Sequence, residues 1–481
     1  MHRQILSQTI RIAFLLLGTL TLLLNASCSS ADDDFVTGHK EAIAKNPEGV
    51  TLQIRLVDGK KQFHKGEIIR LELAFTSDKP DTYQVEIREY DRSGRLFEER
   101  YLVSPAENAV DPVQNYFWGP PFFGGICGGL SGLPRVLDTT PWTIEFEINE
   151  WIRFEKPGTF QLYVISSRVW DQNDRGRDGH TITKLPVASN IIEFEILPDD
   201  RKWSERTLQQ AVQMLDSEVV CSTTPPIFQT ASEYQQYQET QKKYNDLGAA
   251  KRNAARVLRF LDTEQAAEEM IKRLKGANPF DGYDFQYYIG LIGSSHREYI
   301  IKTMEKYLVS TDHPVSEKFL RALSLCAYYL QLDEPMPVMG SDQEENSKVF
   351  MAYHDRQRKR FQDIETKYLE QLIQAIPKKN DQAKAISLAG FVELTWNDEA
   401  AKRESARIAE YRKELPLDLA PVFHCLPQRT KQTLLDIRWK FIKHPAMYPV
   451  IRKIAEGPPD PQHRVTETAV QRLQEIDDEK K

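Results

Sequence analysis

The spacing of apolar residues changes once along this 481-residue chain, and that change limits what it can fold into. Before Pro198 apolar side chains recur at every second position: Leu52, Ile54 and Leu56 in LQIRL, then Ile69, Leu71, Leu73 and Phe75 in IRLELAF. An extended chain points successive side chains to opposite faces, so this period predicts half-buried strands. YQVEIREYDRSGRLFEERYLV adds Tyr83, Val85 and Ile87, a polar DRSGR turn and a second run ending at Val103, which predicts a β-hairpin. WTIEFEI, GTFQLYVISSRV and IIEFEIL supply more strands. Roughly six to eight short strands with no helical spacing between them predict an antiparallel β-sandwich over 49–199.

Beyond Pro198 the period becomes three to four. WSERTLQQAVQMLDS opens with Ser204 as the expected helix cap and aligns Leu208, Val212 and Leu215 on one face. Tyr234, Tyr237 and Tyr244 fall at helical spacing and are expected in the core. AARVLRFLDTEQAAEEMIKRL places two amphipathic helices around a tight break, and YYIGLIGSSHREYIIKTMEKYL repeats the design, with Leu274 and Leu308 about 34 residues apart. AISLAGFVELTWNDEAAKRESARIAEYRKEL and HPAMYPVIRKIAEGPPDPQHRVTETAVQRLQEI vary on it. One such pair cannot bury its apolar face alone, so neighbours must stack; residues 200–481 are expected to form an α-solenoid.

KGEIIRLEL, FEKPGTFQLYV and a closing strand resemble immunoglobulin-like domains of bacterial surface proteins, and the helix pairs resemble HEAT-type repeats. Taken together, the chain resembles bacterial lipoproteins that join an immunoglobulin-like β-sandwich to HEAT-like repeats. The resemblance implies architecture and, through the solenoid, binding of proteins along a curved surface.

The N-terminus points to the same setting. Arg3 and Arg11 flank a polar lead, and Ile12 to Leu24 is almost wholly apolar. As a helix that run spans only about 20 Å, short of a hydrocarbon core of about 30 Å, so residues 1–27 read as a signal peptide. Ala26, Ser27 and Cys28 resemble the bacterial lipobox, with Asn25 where leucine is usual. That resemblance implies acylation of Cys28, a membrane anchor of about 0.8 kcal/mol per buried CH₂, and a place in the bacterial cell envelope. Ser29 and the DDD that follows resemble outer-membrane and surface-export signals. Residues 28–48 lack a sustained apolar period and are expected to be a flexible tether.

A net charge of −7 spread over this length provides no nucleic-acid footprint. Four cysteines remain besides Cys28. Cys326 lies on an apolar helix and is expected as a buried free thiol, whereas Cys127 and Cys221 lie in loops and could pair. No phosphate loop, HExxH helix or GxSxG elbow is present, and no cofactor is expected. The glycine-rich GGICGG at 124–129 is not followed by a helix start and reads as a loop. DQNDRGRDGHTI offers Asp171, Asn173 and Gly176 at calcium-loop positions but puts Arg175 and Ile182 where oxygen donors are needed, so it reads as a solvated loop. His296, Glu298, His313, His354, His424 and His444 lack metal-ligand spacing, and Cys425 beside His424 is expected to point away from it.

One segment remains as a candidate binding loop. NYFWGPPFFGGICGGLSGLPR gathers Tyr116, Phe117, Trp118, Phe122 and Phe123 among prolines and glycines. Exposed, these rings could stack on sugars; folded back, they would plug one end of the sheet stack. The expected function is a non-catalytic scaffold that binds a protein in the solenoid groove, and the alternative is a glycan-binding accessory using the aromatic loop 115–135.

Overall fold

The computed structural model describes residues 33–479 apart from 89–94, 97, 120–133, 176–181, 218–229, 275–281, 333, 335–336, 338–342, 396–404 and 459–463. The chain divides into two compact units, one reaching Phe117 and resuming from Gly124 to Trp203, the other running on from Ser204. The first is built on strands and the second on helices, as the change of period predicts.

In the first unit β1 (Val50–Leu56), β3 (Arg70–Ser77) and β8 (Trp142–Glu147) form a three-stranded antiparallel sheet. Its register sets Leu52 opposite Phe75, Ile54 opposite Leu73 and Leu73 opposite Ile144, so the alternate apolar positions meet on one face. The second sheet is organised by β10 (Gly158–Arg175), which is 18 residues long, and ends in the two-residue strands β2 (Gln62–Phe63) and β7 (Arg135–Val136); β6 (Ala109–Val110) and β9 (Arg153–Phe154) form a separate pair. β12 (Ile192–Ile196) and β11 (Ile182–Ala188) line one side of it. Leu52, Ile54, Leu71, Leu73, Phe75 and Ile144 from the first sheet share one buried cluster with Phe160, Leu162, Val164, Val187 and Phe194 from the second.

The other side of β10 overturns the expected hairpin. β4 (Tyr83–Val85) pairs with Asp171–Val169 of β10, and β5 (Glu99–Ser104) pairs with Ser166–Gln161, so the two lie end to end along one edge instead of facing each other. Between them the chain leaves the edge, and β10 carries a bulge between Ser166 and Val169. Arg168 fills that gap with its side chain wholly buried. Its Nε and Nη2 donate to the Glu99 carboxylate, the latter at 3.1 Å, and Nη1 donates to the carbonyls of Glu86, at 3.0 Å, and Arg88. Ser166 Oγ adds a 3.1 Å hydrogen bond to Glu99. Burial pushes the Glu99 carboxyl up, and Arg168 pulls against it.

Part of the expected tether is instead part of this unit. Residues 33–43 form helix α1, whose Phe35 and His39 rings pack 5.1 and 4.8 Å from Tyr163. Asn46 then pairs with the Ala188 backbone in both directions, at 2.7 and 2.9 Å. The stretch 33–48 escapes the apolar-period test because a short helix with two aromatic contacts needs no amphipathic stripe.

In the second unit α4 (Ala231–Leu261), α6 (Gly282–Gly293), α8 (Glu317–Leu330) and α10 (Asp381–Thr395) touch in succession, and α5 (Glu264–Arg273), α7 (Arg297–Leu308), α9 (Gln343–Ala375) and α11 (Ala406–Leu419) do the same. Each of the two quoted repeats is such a pair. Their breaks stack: Asp262, left-handed at φ 44°, accepts from Ser294 Oγ at 2.6 Å and Ser295 N at 3.0 Å, while His296 Nε2 donates to its carbonyl at 2.9 Å. Two helical expectations fail. Helix α3 (Arg201–Asp216) starts before Ser204, and Asp200 accepts from Trp203 N at 3.0 Å in the capping role. Tyr234 and Tyr244 are 48% and 43% exposed and Tyr237 is half-buried, because α4 buries its apolar face only towards its C-terminal end, at Ala255, Leu258 and Leu261.

Replacing Arg168 with methionine leaves the Glu99 carboxylate buried without its cation and is expected to cost about 3–5 kcal/mol in denaturant unfolding of the full chain. The double variant Arg168→Met, Glu99→Leu should regain most of that loss; a double variant no more stable than the single one would show that the pair is not what holds this gap.

Candidate functional site

The first helix layer of the second unit carries a groove of about 310 Å³. Asp284 of α6, Ser316, Glu317 and Lys318 at the start of α8, Ile386, Ala389, Gly390 and Glu393 of α10, and Thr430, Thr433 and Ile437 line it, the last three on or just after helix α12 (Gln428–Asp436). Its floor depends on how closely α10 meets the entry to α8. A Cβ on Gly390 would lie 2.8 Å from the Val315 carbonyl and 2.9 Å from Glu317 N, so only glycine lets these backbones approach.

The segment entering α8 is held from α10 and from the turn before it. Ser387 Oγ accepts from Val315 N at 3.0 Å, and Ser316 caps α8 by accepting from Phe319 N at 3.1 Å. Lys379 Nζ donates to the carbonyls of Ser310 and His313, each at 2.8 Å, and Asn380 N donates to Thr311 O at 2.8 Å. Burial lowers the Lys379 ammonium to about 8, with Asp312 opposing the shift. His313 itself is buried between Tyr307 and Phe319, at ring distances of 4.6 and 5.3 Å.

The groove wall mixes apolar and charged groups. Ile437 is 61% exposed, and beside it Glu393 Oε2 accepts from Arg438 Nε and Nη2 at 3.1 and 2.9 Å. Asp284, itself buried, faces Lys318 at 3.5 Å, and Glu317 pairs with Arg321 at 3.1 Å. Three carboxylates therefore border an apolar strip of Ile386, Ala389 and Ile437. A wider hollow of about 800 Å³ in the first unit, beside β1, is lined by Leu56, Val57, Ile191 and Ile192 together with charged side chains, among them Arg55 and Glu72, which pair at 2.7 Å.

The residues singled out in the sequence scatter. Phe117 is buried under Arg95, whose guanidinium lies 5.1 Å from its ring and 4.0 Å from that of Trp151, so Phe117 cannot offer a face to a ligand. Tyr116, on the short helix α2 (Gln114–Trp118), is half-buried against Phe117 at 5.1 Å. The side chains of Trp118, Phe122 and Phe123, and the residues Cys28, Cys127 and Cys221, lie outside the described residues. Asp171, Asn173 and Arg175 belong to β10, not to a loop, and Asp171 Oδ1 accepts from Asn173 N at 2.8 Å; Gly176 lies outside the described residues. Ile182 begins β11. Among the described residues no three His, Cys, Asp or Glu side chains converge as metal ligands, and no helix is long and apolar enough to cross a membrane.

His444 caps a turn by accepting from Ala446 N at 3.1 Å, and burial lowers the His354 pKa within α9. Cys326 is buried as a free thiol, as expected. Cys425 and His424 are not turned apart: Sγ lies 3.3 Å from Nε2, because a 3₁₀ turn over Ala420–Cys425 replaces the α-helical geometry on which that expectation rests. No protein-family model matches the chain, and no curated protein matches it.

Because Lys379 loses its proton near pH 8 when folded and near pH 10 when unfolded, the unfolded chain binds more protons between those values. The Lys379 contribution to stability should therefore rise with pH across that window, its burial cost being complete below it. The unfolding free energy of the wild type minus that of Lys379→Met should grow from pH 8 to about pH 10; a difference independent of pH would contradict the burial of a charge here.

Proposed function

We propose that this chain is a membrane-anchored lipoprotein of the bacterial cell envelope, an immunoglobulin-like β-sandwich followed by a HEAT-like α-solenoid, acting as a non-catalytic protein-binding module. The anchor rests on the short apolar leader and the lipobox-like Ala26, Ser27, Cys28. Two sheets sharing one core support the sandwich, and helices that touch every second neighbour support the solenoid. The observation that carries the function is the groove over α6, α8 and α10, whose apolar strip is bordered by Asp284, Glu317 and Glu393. Such a lining suits a protein segment that presents apolar side chains flanked by lysine or arginine, the apolar groups giving area and the basic groups register.

A photoreactive residue placed at Ile437 in the intact protein should form a discrete adduct with one partner in cells, and the same residue at Val309, 57% exposed just after α7, should not. Ile437→Asp should lower recovery of that partner roughly tenfold. Identical adducts from both positions, or none, would overturn the groove as a binding surface. The anchor is checked separately: palmitate labelling of the wild type should vanish in Cys28→Ala, and persistent label would place the lipid elsewhere or remove it from the reading.

A further inference from the structure

The turn Ala420–Cys425 that follows α11 sets a thiol beside an imidazole in a way neither the groove nor the fold requires. His424 Nδ1 lies 3.0 Å from the Pro421 carbonyl. A carbonyl can only accept, so the ring proton sits on Nδ1 and Nε2 is left with a lone pair. That lone pair lies 3.3 Å from Cys425 Sγ, within reach of the thiol proton. The three parts of an activated nucleophile are thus in line: the sulfur, the base and a backbone acceptor that orients the base.

The surroundings favour reaction at this sulfur over the other described thiol. His424 is exposed and Cys425 is half-buried, so a small reagent can reach both. Burial lowers the pKa of Lys431 in α12, and the neighbouring Cys425 opposes that shift. Cys326, by contrast, is enclosed in α8 with its Sγ 3.4 Å from the Leu291 carbonyl, and burial pushes its thiol up to about 12. Pro421 lies inside the turn and Pro427 just after it; with Cys425 half-buried there, the accessible co-reactant is a small one.

We propose that Cys425 is a thiol–disulfide exchange site for low-molecular-weight disulfides, with His424 as the base. The Sγ proton passes to His424 Nε2, and the thiolate attacks one sulfur of the incoming disulfide. A new S–S bond forms to Cys425 as the old one breaks, and the departing thiolate recovers the proton from the imidazolium. One disulfide is consumed, and one mixed disulfide and one thiol are produced, with no further oxidant.

The test treats the reduced full-length protein with oxidised glutathione near neutral pH and follows each cysteine by peptide mass spectrometry. The peptide holding Cys425 should gain glutathione while that holding Cys326 remains a free thiol. His424→Ala, with an unchanged melting temperature, should slow addition at Cys425 at least roughly tenfold and convert its rate–pH profile to that of a free thiol, rising up to about pH 8.5. Equal rates and profiles for wild type and His424→Ala, or a wild-type Cys425 as inert as Cys326, would overturn the proposal. Should His424→Ala fail to fold, the wild-type profile decides alone: a rate that already climbs through the imidazole range supports the pair, and one that follows only free-thiol ionisation refutes it.

Discussion

A guanidinium shut away from water must be met at its donors by acceptors, and in the first unit that requirement fixes the layout around β10. Arg168 has four acceptors within reach: both oxygens of Glu99 and the carbonyls of Glu86 and Arg88. These carbonyls belong to the chain as it leaves the sheet edge after β4, and Glu99 belongs to the chain as it returns in β5. The buried cation thus binds the two ends of the excursion to the bulge between them. An apolar residue of the same volume would fill the space but leave both backbone ends free to choose another register.

The second unit relies on the reverse device, the absence of a side chain. Gly390 lets α10 press against the entry to α8, and once they are that close, Ser387, Lys379 and Asn380 can all reach the backbone of residues 310–315. The groove is a by-product of this contact. Its polar wall, made by Ser316, Glu317 and Lys318, is set by the cap that begins α8, while its apolar strip comes from the neighbouring face of α10 and from Ile437 after α12. A rigid wall made of a helix start and a helix face limits the rearrangement a bound segment would demand.

What the sequence disclosed and what it hid divide along the range of the interactions. Leu52, Ile54 and Leu56 were legible as buried because the alternation is local to one strand, and Asp262 with Thr263 marks a helix break within a few residues. The misplaced hairpin is different: Val85 and Val103 carry the right pattern, yet their pairing partner is β10, more than fifty residues on, and no local signal says which edge a strand will take. Arg168 sits in SSRV as an ordinary polar residue, its burial intelligible only with Glu99 in view. Tyr234 and Tyr244 show that helical spacing reveals a face without revealing whether anything covers it. The groove had no signal beyond the expectation of a curved helical surface, since Gly390 within ISLAGFVEL looks like any small residue in a helix. Cys425 and His424 were dismissed by an α-helical rule that a 3₁₀ turn does not obey.

Helix α1 changes where the first unit begins. Asn46 satisfies both backbone groups of Ala188, and His39 satisfies the carbonyl of Ser189, so residues well ahead of the first strand complete the hydrogen bonding of β11 and the residue after it. An excised β unit cut at Gly49, where the onset of alternating apolar residues alone would place its start, would strip those partners and uncover the ring of Tyr163. The leading segment is a sealing strip, and a cut that keeps the fold intact has to fall upstream of Asp33.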